Sequence, residues 1–446
     1  MGPMRRARTT QAGSRTRGRA ARCAATAAGT VAVLACGMFA AAAAQAAAPA
    51  TLYVSQGGLD SGACTSASPC ATVSYALTKA ASGATIEVSG TIDDNPSISS
   101  PVTITTWPGG PAGSPAVLYG KASGPVVTVD PEVTGVTLRD LTIEHGTVGV
   151  FNSEGTLTLT DSTVTGNVNG GEPYAGIYNY ADSTMTVIDS TVTKNSGASD
   201  IGAGIYNSAT MTVIASTISG NTGGGIAGNG GTATLGATIV AGNTGSNCYG
   251  YDAASLYSAG YNLTNDAKGT ACSFTAATDL VDASPALGSL ASNGGPTQTL
   301  LPGTKSPAAD VIPKTTTLRG VTVCPGTDQR GVARPGHGET RCTIGAVEAA
   351  FSNPTTTSVT LTPTTVTAGT RVIYLAVVNP NSGTGTPTGT ISFSTGSTSL
   401  CTAVLSGGVA ACGATSAPAG TDKVTGTYSG GDGYASSSGT ATLTVS

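Results

Sequence analysis

Apolar and small polar residues alternate in short stretches along most of the chain. Leu157 and Leu159 alternate with threonines, and the same alternation returns one repeat later at Met185 and Val187. A period of two is typical of a strand that buries one face, and Val, Ile and Thr favour strands over helices. Gly, Asn and Asp, which favour turns, come after these stretches. The pattern therefore predicts many short β-strands joined by tight turns.

These strands belong to an internal repeat. A phrase of thirteen residues occurs four times within residues 155–243, and its final asparagines are spaced 28, 26 and 22 residues apart at Asn167, Asn195, Asn221 and Asn243. A second phrase ending in aromatic-Asn interleaves with it at residues 149–152, 176–179 and 204–207. Repeats of this length are typical of solenoid proteins.

The content of one repeat decides between the solenoid classes. Each period holds two or three strands and no stretch long enough for a crossover helix, so successive turns can stack as parallel strands ~4.8 Å apart. A leucine-rich repeat needs a constant leucine-rich phrase, and a β-propeller needs about 40 residues per blade. The prediction is an all-β fold, a right-handed parallel β-helix of the pectate-lyase-like type. About 25 residues per coil, counted from Thr85 to about Ala286, predict roughly eight coils.

The repeated asparagines have a physical role in this fold. Asparagine tolerates the left-handed conformation of a tight turn, and its amide can bond to the asparagine one coil above. We therefore expect asparagine ladders along the stack, beside an interior filled by Val, Ile, Leu and Met.

The two ends of a β-helix are open sheet edges that need a cover. Val73, Ala76, Leu77 and Ala80 recur with a helical period, which predicts an N-terminal capping helix within residues 70–81. Residues 279–348, rich in Pro and Gly, are predicted to close the other end. Their apolar anchors are Leu287, Leu290, Leu300 and Leu301. The β-helix domain so defined covers residues 50–350.

The remainder of the chain has a different pattern. Residues 351–357 resemble a short linker. Residues 358–446 hold about seven alternating stretches at intervals of roughly 10 to 15 residues, typical of an immunoglobulin-like (Ig-like) β-sandwich. The phrase at residues 428–434 before a final strand resembles bacterial Ig-like repeat domains.

The first 48 residues are predicted to be a signal peptide. Seven arginines precede a stretch of mostly alanine, and small residues offer a cleavage site near residues 45–48. Removing this segment leaves 13 basic against 24 acidic residues, a net charge of −11. That balance excludes nucleic acid as a partner, and we expect no membrane insertion in the mature form. We expect a secreted or cell-surface monomer.

The cysteines fit an exported chain. Of ten, Cys23 and Cys36 leave with the signal peptide, and the other eight fall in local pairs. Local pairing is the simplest of the possible disulfide schemes. The predicted pairs are Cys64 with Cys70, Cys248 with Cys272, Cys324 with Cys342, and Cys401 with Cys412. The spacing favours no metal site, since no pair is C-x-x-C and only two histidines exist.

The closing segment resembles a known group of bacterial proteins. The runs LGSLASNGGPTQTLLPGTKSPAAD at residues 287–310, DQRGVARP at 328–335 and CTIGAVE at 342–348 are similar to the end of secreted β-helix proteins of the choice-of-anchor Q type. The resemblance covers residues 53–350. It implies an extracellular or surface-attached β-helix protein and implies no particular chemistry.

Three aspartates are the candidates for catalysis. Asp140, Asp161 and Asp189 occupy one position in three successive coils, where stacked carboxylates could serve as an acid/base pair or bind Ca²⁺ in a glycan-cleaving enzyme. Arg139, His145 and Lys194 lie near them in sequence. The alternative is that these aspartates only begin a turn and bond to their own backbone. Ca²⁺ enters only with the enzyme hypothesis, and no other cofactor is expected.

Tyrosines offer a binding alternative. Tyr174, Tyr178, Tyr180 and Tyr206 recur around the second phrase, and Tyr249, Tyr251 and Tyr257 come after them. If they face outward on one side, they form a strip on which sugars could stack. If they pack beside the asparagine turn, their role is structural.

Three hypotheses arise for function. The first is non-catalytic adhesion or binding of an extracellular polysaccharide or surface glycan. The second is a polysaccharide lyase or glycoside hydrolase. The third is a purely structural envelope component. The residues lean against an enzyme, and the choice between the three hypotheses stays open at the level of the sequence.

Overall fold

A computed structural model describes residues 51–111, 115–199, 201–251, 255–267, 272–303, 305–324, 326–336, 340–349, 355–381, 385–431, 434 and 436–446. The predicted signal peptide lies outside these described residues, as do residues 351–354 of the predicted linker.

Three parallel sheets form the body of residues 51–260. Sheet 1 has nine strands, which are Thr51–Ser55, Ala84–Ser89, Val102–Thr106, Val136–Arg139, Thr156–Thr160, Thr184–Ile188, Thr210–Ile214, Thr232–Gly236 and Leu256–Gly260. Sheet 2 has seven, which are Ser97–Ile98, Pro125–Val129, Val148–Asn152, Ile177–Asn179, Ile205–Asn207, Ile226–Gly228 and Cys248–Gly250. Sheet 3 has seven, which are Thr91–Asp93, Ala116–Tyr119, Leu141–Glu144, Thr163–Thr165, Thr191–Thr193, Thr217–Ile218 and Ile239–Val240.

The chain visits sheets 1, 3 and 2 in turn, so the parallel β-helix is confirmed. Seven complete coils are present where the sequence suggested roughly eight, and one further sheet 1 strand lies at each end of the stack. The phrases of the repeat are in register: Leu157 pairs with Met185, and Met185 with Met211. These side chains point inward and belong to one continuous buried cluster.

Both predicted asparagine ladders are present. In the turn after sheet 3, the amide Nδ2 of Asn167 donates to Oδ1 of Asn195 at 2.9 Å, and the same bond joins Asn195 to Asn221 and Asn221 to Asn243. In sheet 2, Asn152 donates to Asn179 at 2.9 Å and Asn179 to Asn207 at 2.8 Å. Each ladder satisfies buried backbone carbonyls as well, because Nδ2 of Asn195 also reaches the oxygens of Val164 and Thr193.

The outer face of sheet 1 carries a column of threonines. Eight of them pair in register from one coil to the next: Thr51, Thr85, Thr103, Thr137, Thr158, Thr186, Thr212 and Thr234. Threonine suits a solvated strand face, and cross-strand threonine pairs add stability.

The N-terminal cap is confirmed in a shorter form than the sequence predicts. The helix spans Val73–Leu77, and the side chain of Thr72 caps it by accepting from the amide of Tyr75. Val73 and Ala76 are buried in the first coils. Residues Thr78–Ala81 leave the helix in a turn before the chain enters Ala84–Ser89.

The residues after the last coil first close the end of the β-helix and then return along its side. Leu263 and Leu280 continue the sheet 3 ladder as isolated bridges, and Phe274 packs into the open end of the interior. The chain from there on folds back along the outer face of sheet 3. Three short antiparallel pairs organise it: Ile312–Pro313 with Arg341–Cys342, Thr316–Leu318 with Val321–Cys324, and Gly326–Thr327 with Ala333–Arg334.

A second buried cluster lies under this returning segment. Ile214, Ile239 and Leu263 of the β-helix pack against Ile312, Val323 and Ile344 of the segment. Of the predicted anchors, Leu287 packs at the margin of this cluster and Leu300 is buried. Leu290 and Leu301 are half-buried.

The C-terminal residues form the predicted sandwich. One sheet contains Thr355–Thr362, Val372–Pro380 and Val409–Ala414. The other contains Thr365–Val366, Thr390–Thr395, Thr398–Val404, Gly420–Tyr428 and Ser437–Val445. The first strand begins at Thr355, within the stretch that the sequence predicts as linker. Inward Tyr374, Phe393 and Tyr428 fill a core of its own.

All four predicted disulfides form: Cys64–Cys70, Cys248–Cys272, Cys324–Cys342 and Cys401–Cys412. Each closes a loop of 6 to 24 residues, and such loops stabilise by roughly 2–3.5 kcal/mol in the chain-entropy model. No described helix is long and apolar enough to cross a membrane.

Candidate functional site

The three aspartates lie where the sequence placed them, one above another. Asp140, Asp161 and Asp189 each come directly after a sheet 1 strand and turn the chain into sheet 3. All three have left-handed backbones, with φ of 55°, 51° and 43°. The amide of each donates to the carbonyl one coil further on, to Thr160, Ile188 and Ile214 respectively. One role of the aspartate at this position is therefore to adopt the left-handed backbone conformation of the turn.

Two of the carboxylates face a groove. Nε of Arg139 contacts Oδ2 of Asp140 at 3.2 Å and Oδ2 of Asp161 at 3.4 Å, so one guanidinium joins both. The groove has a volume of ≈330 Å³ and runs between this turn and the returning segment. Its other walls are formed by Thr106, Pro108, Gly295, Pro296 and residues 327–331.

The environment shifts both carboxylates toward their protonated form. Burial, followed by the neighbouring Asp140 charge, raises the pKa of Asp161 to about 6 while Arg139 opposes the shift. Burial also raises the pKa of Asp140, again against Arg139. A carboxyl group with a pKa near 6 can donate or accept a proton close to neutral pH.

The third aspartate is held by the returning segment. Arg334, 2 % exposed, donates to Oδ1 of Asp189 at 3.1 Å and to Oε1 of Glu348 at 3.2 Å. Burial raises the pKa of Asp189 to about 7, and the Arg334 charge acts against that shift. Asp189 therefore joins a structural ion network and is not grouped with the groove carboxylates.

The closing motif explains how the segment attaches. The buried side chain of Gln329 donates to Oγ1 of Thr163 at 2.8 Å and accepts from Oγ1 of Thr191 at 2.6 Å, which links two coils. Asp328 accepts from Arg330 at 2.6 Å and from the amide of Glu348 at 2.9 Å. The sequence identified the run DQRGVARP only as part of the closing segment, and the contacts of Asp328 and Gln329 are visible only in the folded chain.

The tyrosines form an outward aromatic surface on sheet 2. We call it the aromatic strip; its members are Phe151, Tyr174, Tyr178, Tyr180, Tyr206, Tyr249 and Tyr251. Phe151, Tyr178 and Tyr206 pair in register on successive coils, each between an inward Val or Ile and an inward Asn. Each ring touches another: centroids are 5.3 Å apart for Phe151 and Tyr178, and 5.6 Å apart for Tyr178 and Tyr206.

Further rings widen and extend the strip. The ring of Tyr174 stacks on that of Tyr178 with centroids 4.1 Å apart. The ring of Tyr251 lies 6.4 Å from that of Tyr206 and 5.0 Å from that of Tyr249, which extends the strip along the coils. Tyr180 and Tyr251 are 40 % and 46 % exposed, whereas Tyr206 is buried and its hydroxyl accepts from Asn229. Burial raises the pKa of both Tyr178 and Tyr206 to about 12, so these phenols stay uncharged.

Three residues that the sequence suggested as candidates lie elsewhere. Tyr257 is exposed on the outer face of sheet 1, beside Arg319, and does not extend the strip. His145 stacks on Tyr119 at 4.6 Å at the corner between sheets 3 and 2, away from the groove of Arg139. Lys194 occupies that same corner two coils later, with φ of 55°. Within the described residues, no three His, Cys, Asp or Glu side chains cluster as metal ligands.

Comparison with known proteins assigns one part of the chain. Residues 359–446 match the family of the bacterial Ig-like domain (group 3), which agrees with the sandwich described above. No curated protein matches the chain.

Proposed function

We propose that this protein is an extracellular β-helix rod that binds a polysaccharide through the aromatic strip without cleaving it. The observation that carries the proposal is the continuity of the strip, in which seven rings contact one another along the rod on one outward face. Sugar rings present apolar C–H faces that stack on tyrosine, while the phenol hydroxyls bond to sugar hydroxyls. A contiguous aromatic surface with exposed rings such as Tyr180 and Tyr251 is typical of an interaction site.

The extent of the strip suggests how a ligand lies. It spans the five coils from Val148–Asn152 to Cys248–Gly250, and four steps of ~4.8 Å give a length of ~19 Å along the axis. An extended glycan chain parallel to the axis is the ligand that contacts the exposed rings of Tyr180 and Tyr251 together. The four disulfides, the Ig-like domain and the similarity of the closing segment to choice-of-anchor Q proteins all support a surface or secreted location.

Retention on a panel of insoluble polysaccharides tests the proposal. Tyr180→Ala and Tyr251→Ala remove the two most exposed rings, and each is expected to weaken binding about three- to tenfold, as the loss of one stacking contact does. For soluble oligosaccharides of the retained polymer, affinity should rise with length up to ~20 Å and then level off.

The control is Tyr257→Ala, which removes an equally exposed tyrosine from sheet 1. This variant should bind like the unmodified protein. Equal losses in all three variants, or none in any, would contradict binding at the strip.

The groove supports a second candidate, polysaccharide cleavage. Asp140 and Asp161 line it together, and the raised pKa of Asp161 suits a general acid. The same panel scored for new reducing or unsaturated ends tests it, and Asp161→Asn should abolish any such release. If no polymer is retained and none is cleaved, the purely structural hypothesis is the one that remains.

A further inference from the structure

Exposed carboxylates border the aromatic strip at both ends of the sheet 2 strands. Glu154 and Asp182 lie at the corner where sheet 2 leads into sheet 1, each two residues before the paired threonines Thr156 and Thr184. Both have left-handed backbones, with φ of 64° and 61°, and both side chains are exposed. Tyr180, a member of the strip, lies two residues before Asp182.

Another carboxylate borders the opposite end of these strands. Glu172 lies in the segment that leads into Ile177–Asn179 and is exposed. Burial is the main cause that raises the pKa of Tyr174, and the negative charge of Glu172 is the second cause. The electrostatic field of Glu172 therefore reaches the rings of the strip. The strip thus has at least one exposed carboxylate at each margin.

The two margins of the strip differ in the cations beside them. No ion pair between described residues involves Glu154, Glu172 or Asp182. Lys194 is exposed at the corner between sheets 3 and 2, on the same side of the strip as Glu172, whereas Lys121 is paired with Asp93 at 3.0 Å. Glu154 and Asp182 lie at the other corner, so their margin is the more negative of the two. A polyanionic ligand would be repelled by the margin of Glu154 and Asp182, whereas a cationic one is attracted to it.

We propose that the polymer bound on the strip carries protonated amino groups, as a deacetylated amino-sugar polysaccharide does. This inference rests on the function proposed above and names its ligand class. An ammonium group is attracted both by a tyrosine face and by a carboxylate, and the strip offers the two side by side. The sugar rings stack on the aromatic side chains while the amines lie over the margins.

Three oligosaccharides of equal length test the ligand class in titration calorimetry of the full chain: an N-acetylglucosamine oligomer, its deacetylated counterpart and an oligogalacturonate. At low salt and slightly acidic pH, the deacetylated oligomer should bind about tenfold more tightly than the acetylated one. High salt should remove most of this difference, because the margins are exposed and screened. The oligogalacturonate should bind most weakly.

Variants separate charge from stacking. Glu154→Gln, Glu172→Gln and Asp182→Asn together should lower the affinity for the deacetylated oligomer to that for the acetylated one, which should not change. Glu87→Gln, on sheet 1, is the control and should alter neither. Equal affinity of the unmodified protein for the two amino-sugar oligomers overturns the ligand class but leaves glycan binding in place. Absence of binding to all three overturns the ligand class, and failure on the wider panel overturns the proposed function.

Discussion

At the scale of residues, one turn position illustrates how packing chooses between aspartate and alanine. Asp140, Asp161 and Asp189 hold a left-handed turn, and Ala215 and Ala237 hold the same turn in the next two coils, with φ of 48° and 52°. A left-handed alanine costs roughly 1–2 kcal/mol. Both alanines are buried in the cluster under the returning segment, where an ionised carboxylate would cost far more. The partner that the segment supplies therefore matters: Arg334 accompanies Asp189, whereas apolar side chains surround Ala215 and Ala237.

Asp161 makes stability depend on pH. Its pKa of about 6 in the folded chain lies above its ordinary value of 3.8, so the folded state binds the proton more tightly. The stability this provides is fully present below pH ~4 and is lost as pH rises toward 6. Asp161→Asn should match the unmodified protein at pH ~4 and exceed it by about 1–3 kcal/mol near pH 7.

Thermal or urea unfolding at the two pH values measures this difference. Asp182→Asn, at an exposed turn with a similar φ, is the matched control and should change stability at neither pH. A uniform loss of stability in Asp161→Asn at both pH values would mean that the carboxylate contributes an essential bond instead.

At the scale of elements, the asparagine ladders hold the coils in register. Asn195 is fully buried and uses every polar atom of its side chain: Nδ2 donates to Asn221 and to two carbonyls, and Oδ1 accepts from the amide and side chain of Asn167. Inward aliphatic side chains make contacts without fixed direction, whereas each amide in the ladder needs its partner at one position. The ladders thus supply specificity to a core held together by burial.

Asn195→Ala should destabilise the β-helix by about 2–4 kcal/mol, because it leaves buried partners in the adjacent coils unsatisfied. Denaturant unfolding monitored by circular dichroism measures the loss. Asn229→Ala removes an exposed asparagine with a single side-chain bond, to the Tyr206 hydroxyl, and should cost less than about 1 kcal/mol. Similar losses in the two variants would refute a special role for the ladder.

At the scale of the whole molecule, the returning segment turns one face of the rod into an interior. Threonines on the outer face of sheet 3 bond to it in sequence: Thr163 donates to the carbonyl of Gln298, Thr191 bonds to Gln329, and Thr217 accepts from the amide of Ala346. Beyond them, Ile239 occupies the same column and packs against Ile344 in the second cluster. Of the other two faces, one carries the threonine column of sheet 1 and the other the aromatic strip of sheet 2.

Removing this segment should therefore expose apolar surface. A chain that ends at Ser284 keeps every coil but uncovers Ile214, Ile239 and Leu263, so it should aggregate and bind a hydrophobic dye. A chain that ends at Ala349 keeps the segment and lacks only the sandwich, and it should stay dispersed. Light scattering and dye fluorescence distinguish them. A dispersed, dye-silent chain ending at Ser284 would contradict the cover.

The amino-acid sequence was sufficient to predict the local repeat, its asparagine ladders and its disulfides. Alternating residues and the recurring Asn167, Asn195 and Asn221 depend on contacts between neighbouring coils, which a fixed repeat makes predictable. The disulfides join cysteines at most 24 residues apart, so local pairing was enough to predict them. How distant segments meet became visible only in the folded molecule: Arg334 reaches Asp189 across 145 residues, and Gln329 reaches Thr163 across 166. No periodicity encodes such contacts, because they depend on where an irregular segment lies in space. The same holds for the tyrosines, whose spacing revealed a recurrence but whose common outward face required the coils to be stacked.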